Sequence, residues 1–272
     1  MLLKGGLVFF AVQYFHIFTA EGFMWPSSSI GSKLITRATQ VSVTEVLEKA
    51  KYPEHCPFSA RDFARQDETA DTEFYNFERF CYHIDERAVQ ALTKYYETTF
   101  REWEKPDILD LCASHVSHFP QDINDFAGTR VALGMNQAEL EANKQCNHFI
   151  VKDLNADPRL PFDDNSFDIV TNCVSIDYLI HPLKICQEVA RVLRPGGSAL
   201  FSLSNRCFPS KAVDIWLRTN DLEHVFIVAS YFFYTQQFQR PTAQELTPVF
   251  PSWIGGTSQS ETYLSVVRAD LL

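Results

Sequence analysis

The sequence predicts an α/β fold in which helices cover a mostly parallel sheet. The prediction rests on residues 105–205, where short apolar runs alternate with helical patterns. The runs span residues 108–111, 131–135, 149–152, 167–173 and 198–203. Short apolar runs separated by helices indicate strand–helix–strand crossovers, whose strands lie parallel in one sheet.

Two helical segments support this interpretation. A helical pattern over residues 137–142 follows the second run, and another over residues 183–193 precedes the fifth. The second helix ends at Arg194-Pro195-Gly196-Gly197, because proline and glycine do not continue a helix. Each helix therefore returns the chain to the start of the next strand.

Polar side chains stand where four of the predicted strands end. They are Asp110, Asn136, Asp153 and Asn172. Open parallel sheets bind ligands at the carboxyl ends of their strands, because loops and helix N-termini converge there. We therefore expect a ligand site along this edge of the sheet.

Five motifs in this order carry a family resemblance. They are Asp110-Leu111, Gly134-Met135-Asn136, Asp153, Leu-Pro-Phe-Asp-Asp-Asn-Ser-Phe-Asp at 160–168 and Arg-Val-Leu-Arg-Pro-Gly-Gly at 191–197. The set resembles class I S-adenosylmethionine-dependent methyltransferases of the type 11 group, over roughly residues 79–240. The resemblance implies S-adenosylmethionine as cofactor and a Rossmann-like fold. That fold has a mostly parallel seven-stranded sheet with an antiparallel last strand, helices on both faces, and an N-terminal helical cap.

Composition narrows the choice of partners. The chain has 272 residues, and 24 Lys and Arg against 34 Asp and Glu give a net charge of −10. Because nucleic-acid phosphates require a basic surface, a nucleic-acid partner is disfavoured. Seven cysteines without a Cys-x-x-Cys pair predict neither a disulfide scaffold nor a zinc site.

The N-terminus has the composition of a targeting segment. Residues 1–20 are apolar after Lys4 and predict a signal peptide or a retained N-terminal anchor. Residues 21–42 are rich in serine and read as a transit-like segment or a disordered linker. Together they resemble a two-part address to a plastid, with the secretory pathway or membrane anchoring as alternatives. No stable membrane span is expected after processing.

Residues 43–105 are predicted to be the helical cap that precedes a methyltransferase domain at 106–272. Ser42 with Glu45 fits a capping box, and Asp85 is placed to cap a longer amphipathic helix. The polar stretch between them, residues 52–72, reads as loop. By resemblance, these helices pack over the cofactor cleft.

The C-terminal part gives weaker signals. A helix is expected around residues 211–218, and residues 225–233 fit helix or strand, with the resemblance favouring helix for the first part. Residues 263–268 alternate as a final strand does. Prolines and Gly255-Gly256 mark the segment before it as irregular.

The loop after the first strand departs from the family. Its members carry glycines where this chain has Cys112, Ser114 and Val116. In one interpretation the loop has decayed and no longer binds cofactor. In the other, which we favour, the loop follows a path of negative φ angles throughout, and the hydroxyls of Ser114 and Ser117 replace backbone contacts to the cofactor's carboxylate.

The resemblance also implies cofactor roles at the first two strand ends. Asp110 would accept a hydrogen bond from the cofactor's ammonium, and its structural alternative is to cap a turn. Asn136 takes the place of the acidic residue that binds the ribose hydroxyls, with helix capping as an alternative or additional role.

Four further residues are implied at the adenine and the sulfonium. Asp153 would accept from the adenine amino group and Leu154 would pack on the ring, unless both belong to a surface turn. Asn172 and Cys173 would flank the sulfonium.

For the chemistry, His118, Tyr178 and His83 are the candidates. Methyl transfer from a sulfonium is an in-line displacement, so a base is needed only for an oxygen or carbon acceptor. By resemblance the acceptor is a small molecule, and a lipophilic one is compatible with the group.

Three functions are compared on these observations. The favoured one is a small-molecule methyltransferase. The second is a non-catalytic relative that uses the fold for binding, motivated by the missing glycines and by Asn136. The third, a nucleotide-dependent oxidoreductase, is disfavoured because no Gly-x-Gly-x-x-Gly follows a strand.

Overall fold

The computed structural model describes residues 42–247 and 262–272. The predicted signal peptide (1–20), nearly all of the transit-like segment (21–42) and Gly255-Gly256 lie outside these ranges. Within them, no helix combines the length and the apolar character that crossing a bilayer requires.

Seven strands form one sheet, in the order β3-β2-β1-β4-β5-β7-β6. Strands β1 to β5 pair in parallel, whereas β7 runs antiparallel to both neighbours, β5 and β6. The seven-stranded sheet with an antiparallel last strand is therefore confirmed. The strands are β1 Ile108–Leu111, β2 Arg130–Gly134, β3 His148–Val151, β4 Phe167–Cys173, β5 Leu193–Ser204, β6 Thr242–Thr247 and β7 Leu264–Asp270.

Eight α-helices accompany the sheet in the described residues. They are α1 Val43–Lys49, α2 Asp71–Phe74, α3 Glu86–Phe100, α4 Ile123–Phe126, α5 Gln137–Ala142, α6 Pro182–Val192, α7 Asp214–Leu217 and α8 Asp221–Phe233. The predicted caps are present: Ser42 and Glu45 form a capping box on α1, and Asp85 accepts from the Ala88 N–H at the start of α3. Each cap satisfies backbone N–H groups that have no partner inside the helix.

Three expectations about the C-terminal part need correction. The helix predicted around residues 211–218 is the single turn α7. The ambiguous stretch 225–233 is helical throughout, because α8 begins earlier, behind a capping box of Asn220 and Glu223. Strand β6 was not foreseen; its polar residues pair with β7, and Thr44 of α1 donates to the Ala243 carbonyl.

Alternate residues of the central strands face two separate parts of the core. Ile108, Ile169 and Leu200 join a cluster with Phe100 of α3, whereas their strand neighbours face the larger cluster on the opposite side. This alternation is what a strand buried on both faces requires. It leaves only the ends of the strands for polar chemistry.

The N-terminal part does not form a purely helical cap. Helix α1 packs on β6 and α8, at the far edge of the sheet. The portion that reaches the strand ends is mainly the irregular chain between α2 and α3, residues 75–84. We call residues 71–84 the strap. The fully buried Lys211 ties its start to the domain, because its ammonium pairs with Asp67 and Asp71.

Candidate functional site

A cavity of about 590 Å³ opens at the carboxyl ends of β1, β2 and β4. Residues 112–116 form one wall, and Asp153 and Leu154 lie on another. Its volume lies within the roughly 300–1,000 Å³ that is usual for small-molecule sites. The side chains of the glycine-free loop therefore leave room for a ligand.

The path of this loop differs from the expectation of negative φ angles throughout. Cys112 has φ +56° and His118 has φ +56°, so both adopt the left-handed conformation. Cys112 stands at the position of the family's first glycine. The turn at the end of β1 thus keeps a glycine-like backbone, at a cost of about 1–2 kcal/mol for a residue with a β-carbon.

Gly134, at the end of β2, is what lets the loop lie so close to the sheet. A β-carbon built on it would stand 2.1 Å from the Ala113 carbonyl oxygen. The Ala113 N–H in turn donates to the Leu133 carbonyl at 2.9 Å. The loop backbone is therefore pressed directly against β2, where only glycine leaves space.

The two serine hydroxyls, which are expected to bind the cofactor's carboxylate, have other hydrogen-bond partners in the described chain. Ser114 Oγ donates to Glu139 Oε2 at 2.6 Å, which commits its proton. Ser117 is 1% exposed, accepts from Asn143 Nδ2 at 2.9 Å and does not line the cavity. The unpartnered donors are the backbone N–H groups of Ser114, His115 and Val116, which make no hydrogen bond within the described residues.

Asp110 lies on the cavity wall, where it was predicted, and is only 2% exposed. Its Oδ1 accepts from Thr171 Oγ1 at 2.7 Å. Burial raises the pKa of its carboxyl group to about 7, partly offset by hydrogen bonds from Ser117 and Thr171. A cation placed beside it would restore the ionised form.

Asn136 also lines the cavity, and both ends of its side chain are occupied. Oδ1 caps α5 by accepting from the Glu139 N–H at 3.1 Å, and Nδ2 donates to the Tyr75 carbonyl at 3.0 Å. Its alternative role as a helix cap is therefore observed. The same side chain fastens the strap to α5.

Glu139 was not singled out from the sequence, although it stands on the cavity wall. It is 9% exposed and accepts from Ser114 Oγ and from the Arg79 N–H at 2.7 Å. No ion pair involves it within the described residues. The sequence does contain a signal for Glu139, because Asn136-x-x-Glu139 has the spacing of a capping box. In that motif, the glutamate three residues after the N-cap turns back toward the start of the helix.

Asp153, Leu154 and Cys173 line the cavity as predicted, whereas Asn172 does not. Asp153 Oδ1 caps the following turn by accepting from the Asn155 N–H, which leaves its other oxygen without a partner in the described chain. Asn172 is fully buried, and its Nδ2 donates to the Leu111 carbonyl, because its side chain points into the sheet beside β1.

The three residues considered for chemistry all reach the cavity, but in different states. His118 is 7% exposed, its Nδ1 has no partner, and burial, together with His115 and His83, lowers its pKa to about 4. Partial desolvation also lowers the pKa of His83, although this residue is exposed. Tyr178 Oη accepts from the Phe208 N–H, and burial raises the pKa of Tyr178 far above its ordinary value.

Residues 113–201 match a family model described as a methyltransferase domain, and these residues carry much of the cavity wall. The chain contains a type 11 methyltransferase domain. Its class I topology is that of the sheet described above.

Three curated relatives share part of this methyltransferase domain. A malonyl-acyl-carrier-protein O-methyltransferase from Marinomonas sp. (strain MWYL1) is 31% identical over 78 residues, 29% of this chain and 28% of the relative. The sterol 4-C-methyltransferase strm-1 of Caenorhabditis elegans is 37% identical over 82 residues, 28% and 25%. The mitochondrial 2-methoxy-6-polyprenyl-1,4-benzoquinol methylase of Bos taurus is 31% identical over 133 residues, 48% and 37%.

The chain thus spans at most 37% of the length of these three relatives. Among solved structures, an S-adenosylmethionine-dependent methyltransferase from Mesorhizobium loti is 14% identical, with a TM-score of 0.46 over 66% of this chain and 97% of that one.

The charged and polar groups on the cavity wall of the methyltransferase domain are complementary to the charges of its cofactor. S-adenosylmethionine carries a sulfonium, an ammonium and a carboxylate. Asp110, Glu139 and Asp153 are carboxylates on the wall without an ion-pair partner among the described residues, so they match the two cations. The free backbone N–H groups of residues 114–116 match the anion.

The thiols of Cys112 and Cys173 on the cavity wall are not set up for nucleophilic chemistry. All seven cysteines are free thiols, and burial raises the pKa of Cys112 and of Cys173 to about 12. These two thiols are therefore protonated rather than nucleophilic. In the described chain, no three histidine, cysteine or carboxylate side chains converge as a metal site.

Proposed function

We propose that the protein is an S-adenosylmethionine-dependent methyltransferase that acts on a small, lipophilic molecule. The observation that carries the proposal is the lining of one cavity by three carboxyl groups without an ion-pair partner and by residues 114–116, whose backbone N–H groups have no hydrogen-bond partner in the described chain. This arrangement is complementary to an amino acid joined to a sulfonium nucleoside. Bound there, the cofactor supplies a methyl group that leaves its sulfur readily.

The positions of the side chains on the cavity wall support the proposed cofactor-binding roles. Asp110 would accept from the ammonium, residues 114–116 would donate to the carboxylate, and Asp153 would accept from the adenine amino group with Leu154 against the ring. Glu139, one helical turn beyond Asn136, brings a carboxylate toward the ribose. Cys173 lies at the end of β4, near the place for the sulfonium.

The entrance supports a lipophilic acceptor. Three aromatic side chains of the strap stand largely in solvent: Phe77 is 72%, Phe80 59% and Tyr82 57% exposed. Exposed apolar rings beside a cavity are typical of a binding surface. Two of the relatives are named for lipophilic substrates, a sterol and a polyprenyl quinol, which agrees with such an acceptor.

For the transfer itself, His118 is the best placed of the three candidates. It is neutral at pH 7, and its Nδ1 has no hydrogen-bond partner in the described chain. That atom is closed to solvent, so the ring would have to turn before Nδ1 could accept a proton from an acceptor hydroxyl, while the bound cofactor would supply the methyl group. Tyr178, whose hydroxyl oxygen accepts a hydrogen bond from the Phe208 N–H, forms part of the cavity wall.

Calorimetry on the full chain tests this function. We expect S-adenosylmethionine and its demethylated product to bind at one site, and labelled methyl from the cofactor to enter organic-extractable material from a total lipid extract. If neither nucleoside binds, the proposal is wrong. If both bind but no label moves into any extract, the second candidate, a binding protein without turnover, replaces it.

A further inference from the structure

Two carboxamides behind the cofactor loop hold it in place from outside the cavity. Asn143, just after α5, is 4% exposed and absent from the cavity wall. Its Nδ2 donates to the Ser114 carbonyl at 3.0 Å and to Ser117 Oγ at 2.9 Å. One buried amide therefore grips the loop at two points, three residues apart.

Gln145 extends this grip along the same loop. Its Oε1 accepts from the Ser117 N–H at 3.0 Å, and its Nε2 donates to the Phe119 carbonyl at 2.6 Å. The Gln145 backbone N–H also donates to Asn143 Oδ1 at 3.0 Å, so the two residues form one unit. Asn143 is buried and Gln145 is partly buried, and a network whose members satisfy one another's hydrogen bonds rigidifies the segment it binds.

The grip fixes which way the loop's N–H groups point. All peptides in the described chain are trans, so each N–H points opposite to the carbonyl of its own peptide. The Ala113 carbonyl is pressed against Gly134, and the Ser114 carbonyl is bound by Asn143. The N–H groups of Ser114 and His115, which share those peptides, therefore point away from β2 and Asn143.

We infer that Asn143, braced by Gln145, is a positioning residue that orients the backbone N–H groups of Ser114 and His115 toward the cofactor's carboxylate. The inference rests on the proposed function. In the family pattern, glycines give this loop its conformational freedom. Here left-handed residues stand near both ends, Cys112 and His118, and the amide grip between them compensates for the missing glycines.

The test compares two ligands, one with and one without the amino-acid part. S-adenosylhomocysteine has the carboxylate that the loop would hold and the ammonium that Asp110 would hold, whereas 5′-methylthioadenosine lacks both. Asn143→Asp keeps the acceptor oxygen for Gln145 but removes the donor to Ser114 and Ser117. On the full chain, we expect calorimetry to show about tenfold weaker binding of S-adenosylhomocysteine, the equivalent of one hydrogen bond, and unchanged binding of 5′-methylthioadenosine.

Asn147→Asp is the matched control, because it makes the same change on the same connection. Asn147 bonds to Arg130 and Gly128 and contacts no residue of the loop by hydrogen bond. We expect it to leave both affinities unchanged. If Asn143→Asp does not fold, Gln145→Glu, which removes only the donor to Phe119, replaces it, with a smaller loss confined to the same ligand.

Three results would count against the inference. If both ligands bound equally more weakly, the substitution would have loosened the structure in general. If neither bound more weakly, the hydrogen bonds of Asn143 and Gln145 to the loop would not matter for ligand binding. A selective loss in Asn147→Asp would mean that the connection matters as a whole. Failure of the unchanged chain to bind either nucleoside would instead overturn the proposed function, so the two failures are distinguishable.

Discussion

Two tight turns of this domain solve the same backbone problem in opposite ways. In the turn before the body of β5, Gly196 has φ +77° and a β-carbon there would meet nothing within 4 Å. In the loop after β1, the left-handed position is Cys112, and the crowding falls on Gly134 of the neighbouring strand. The first turn needs glycine for its conformation; the second needs it for space.

The comparison teaches that a missing glycine in a motif is not by itself a missing function. Left-handed backbone costs a residue with a β-carbon about 1–2 kcal/mol, which a few good hydrogen bonds offset. A backbone oxygen 2.1 Å from a β-carbon cannot be accommodated without moving the chain. The indispensable glycine of this site therefore lies opposite the loop.

The largest expected effect comes from Gly134→Ala. The added methyl must displace the loop, which should cost at least about 2 kcal/mol of stability. A displaced loop moves the N–H groups of Ser114 and His115 away from the carboxylate of the ligand. Two hydrogen bonds to charged groups, each worth about 1.5–3 kcal/mol, correspond to binding weakened on the order of a hundredfold. Calorimetry with S-adenosylhomocysteine measures it.

Gly196→Ala is the counterpart from the other turn. It should cost about 1–2 kcal/mol of stability through its φ angle alone and leave ligand affinity unchanged. Thermal unfolding and the same calorimetry provide the comparison. If both alanine variants behave alike, the distinction between conformation and space is wrong.

The next effect concerns the charge beneath the loop. Burial raises the pKa of Asp110 to about 7, so binding an ammonium below pH 7 must expel a proton. Affinity for S-adenosylhomocysteine should therefore fall about tenfold per pH unit below 7. It should also fall at alkaline pH, once the ligand's amino group loses its charge.

Asp110→Asn should abolish the acidic limb of this profile and weaken binding about tenfold at pH 7.5. Stability should move the other way. The folded-state pKa is raised above the unfolded value, so the native form binds the proton more tightly and loses stability as pH rises from about 4 to 7. The variant should therefore unfold at a higher temperature at pH 8. An unchanged acidic limb would remove Asp110 from the ammonium site.

The smallest effect is expected for Cys112→Gly. Glycine removes a conformational cost of about 1–2 kcal/mol at the left-handed position of the folded protein. It also raises the entropy of the unfolded chain, which lowers the stability by about 0.5–1 kcal/mol. Affinity for S-adenosylhomocysteine should stay within about twofold, because the loop's path depends on its partners rather than on this residue. A large loss of affinity would show that the thiol itself contacts the ligand.

Most of the sheet could be predicted from the sequence, because its central strands are buried on both faces. All four residues of β1 are buried, and such strands appear as short apolar runs. Strand β6 could not be found in this way. In its residues Thr242–Thr247, buried and exposed side chains do not alternate regularly. It is an edge strand that pairs with β7 and accepts a hydrogen bond from α1.

The site was predictable where it depends on topology and not where it depends on distant side chains. The positions of Asp110 and Asp153 follow from the ends of parallel strands. The grip of Asn143 and Gln145 on the loop joins residues 26–29 positions apart, and no local pattern announces it. The hydrogen bonds of the serine hydroxyls to Glu139 and Asn143 could not be predicted from the sequence for the same reason.

The double engagement of Asn136 has a consequence for how the site opens. One carboxamide both starts α5 and fastens the strap at Tyr75. The strap cannot lift from this point without breaking one arm of a side chain whose other arm caps α5. Access to the cavity and fraying of this short helix are thereby coupled, and the Glu139 amide proton should exchange with solvent in step with ligand entry.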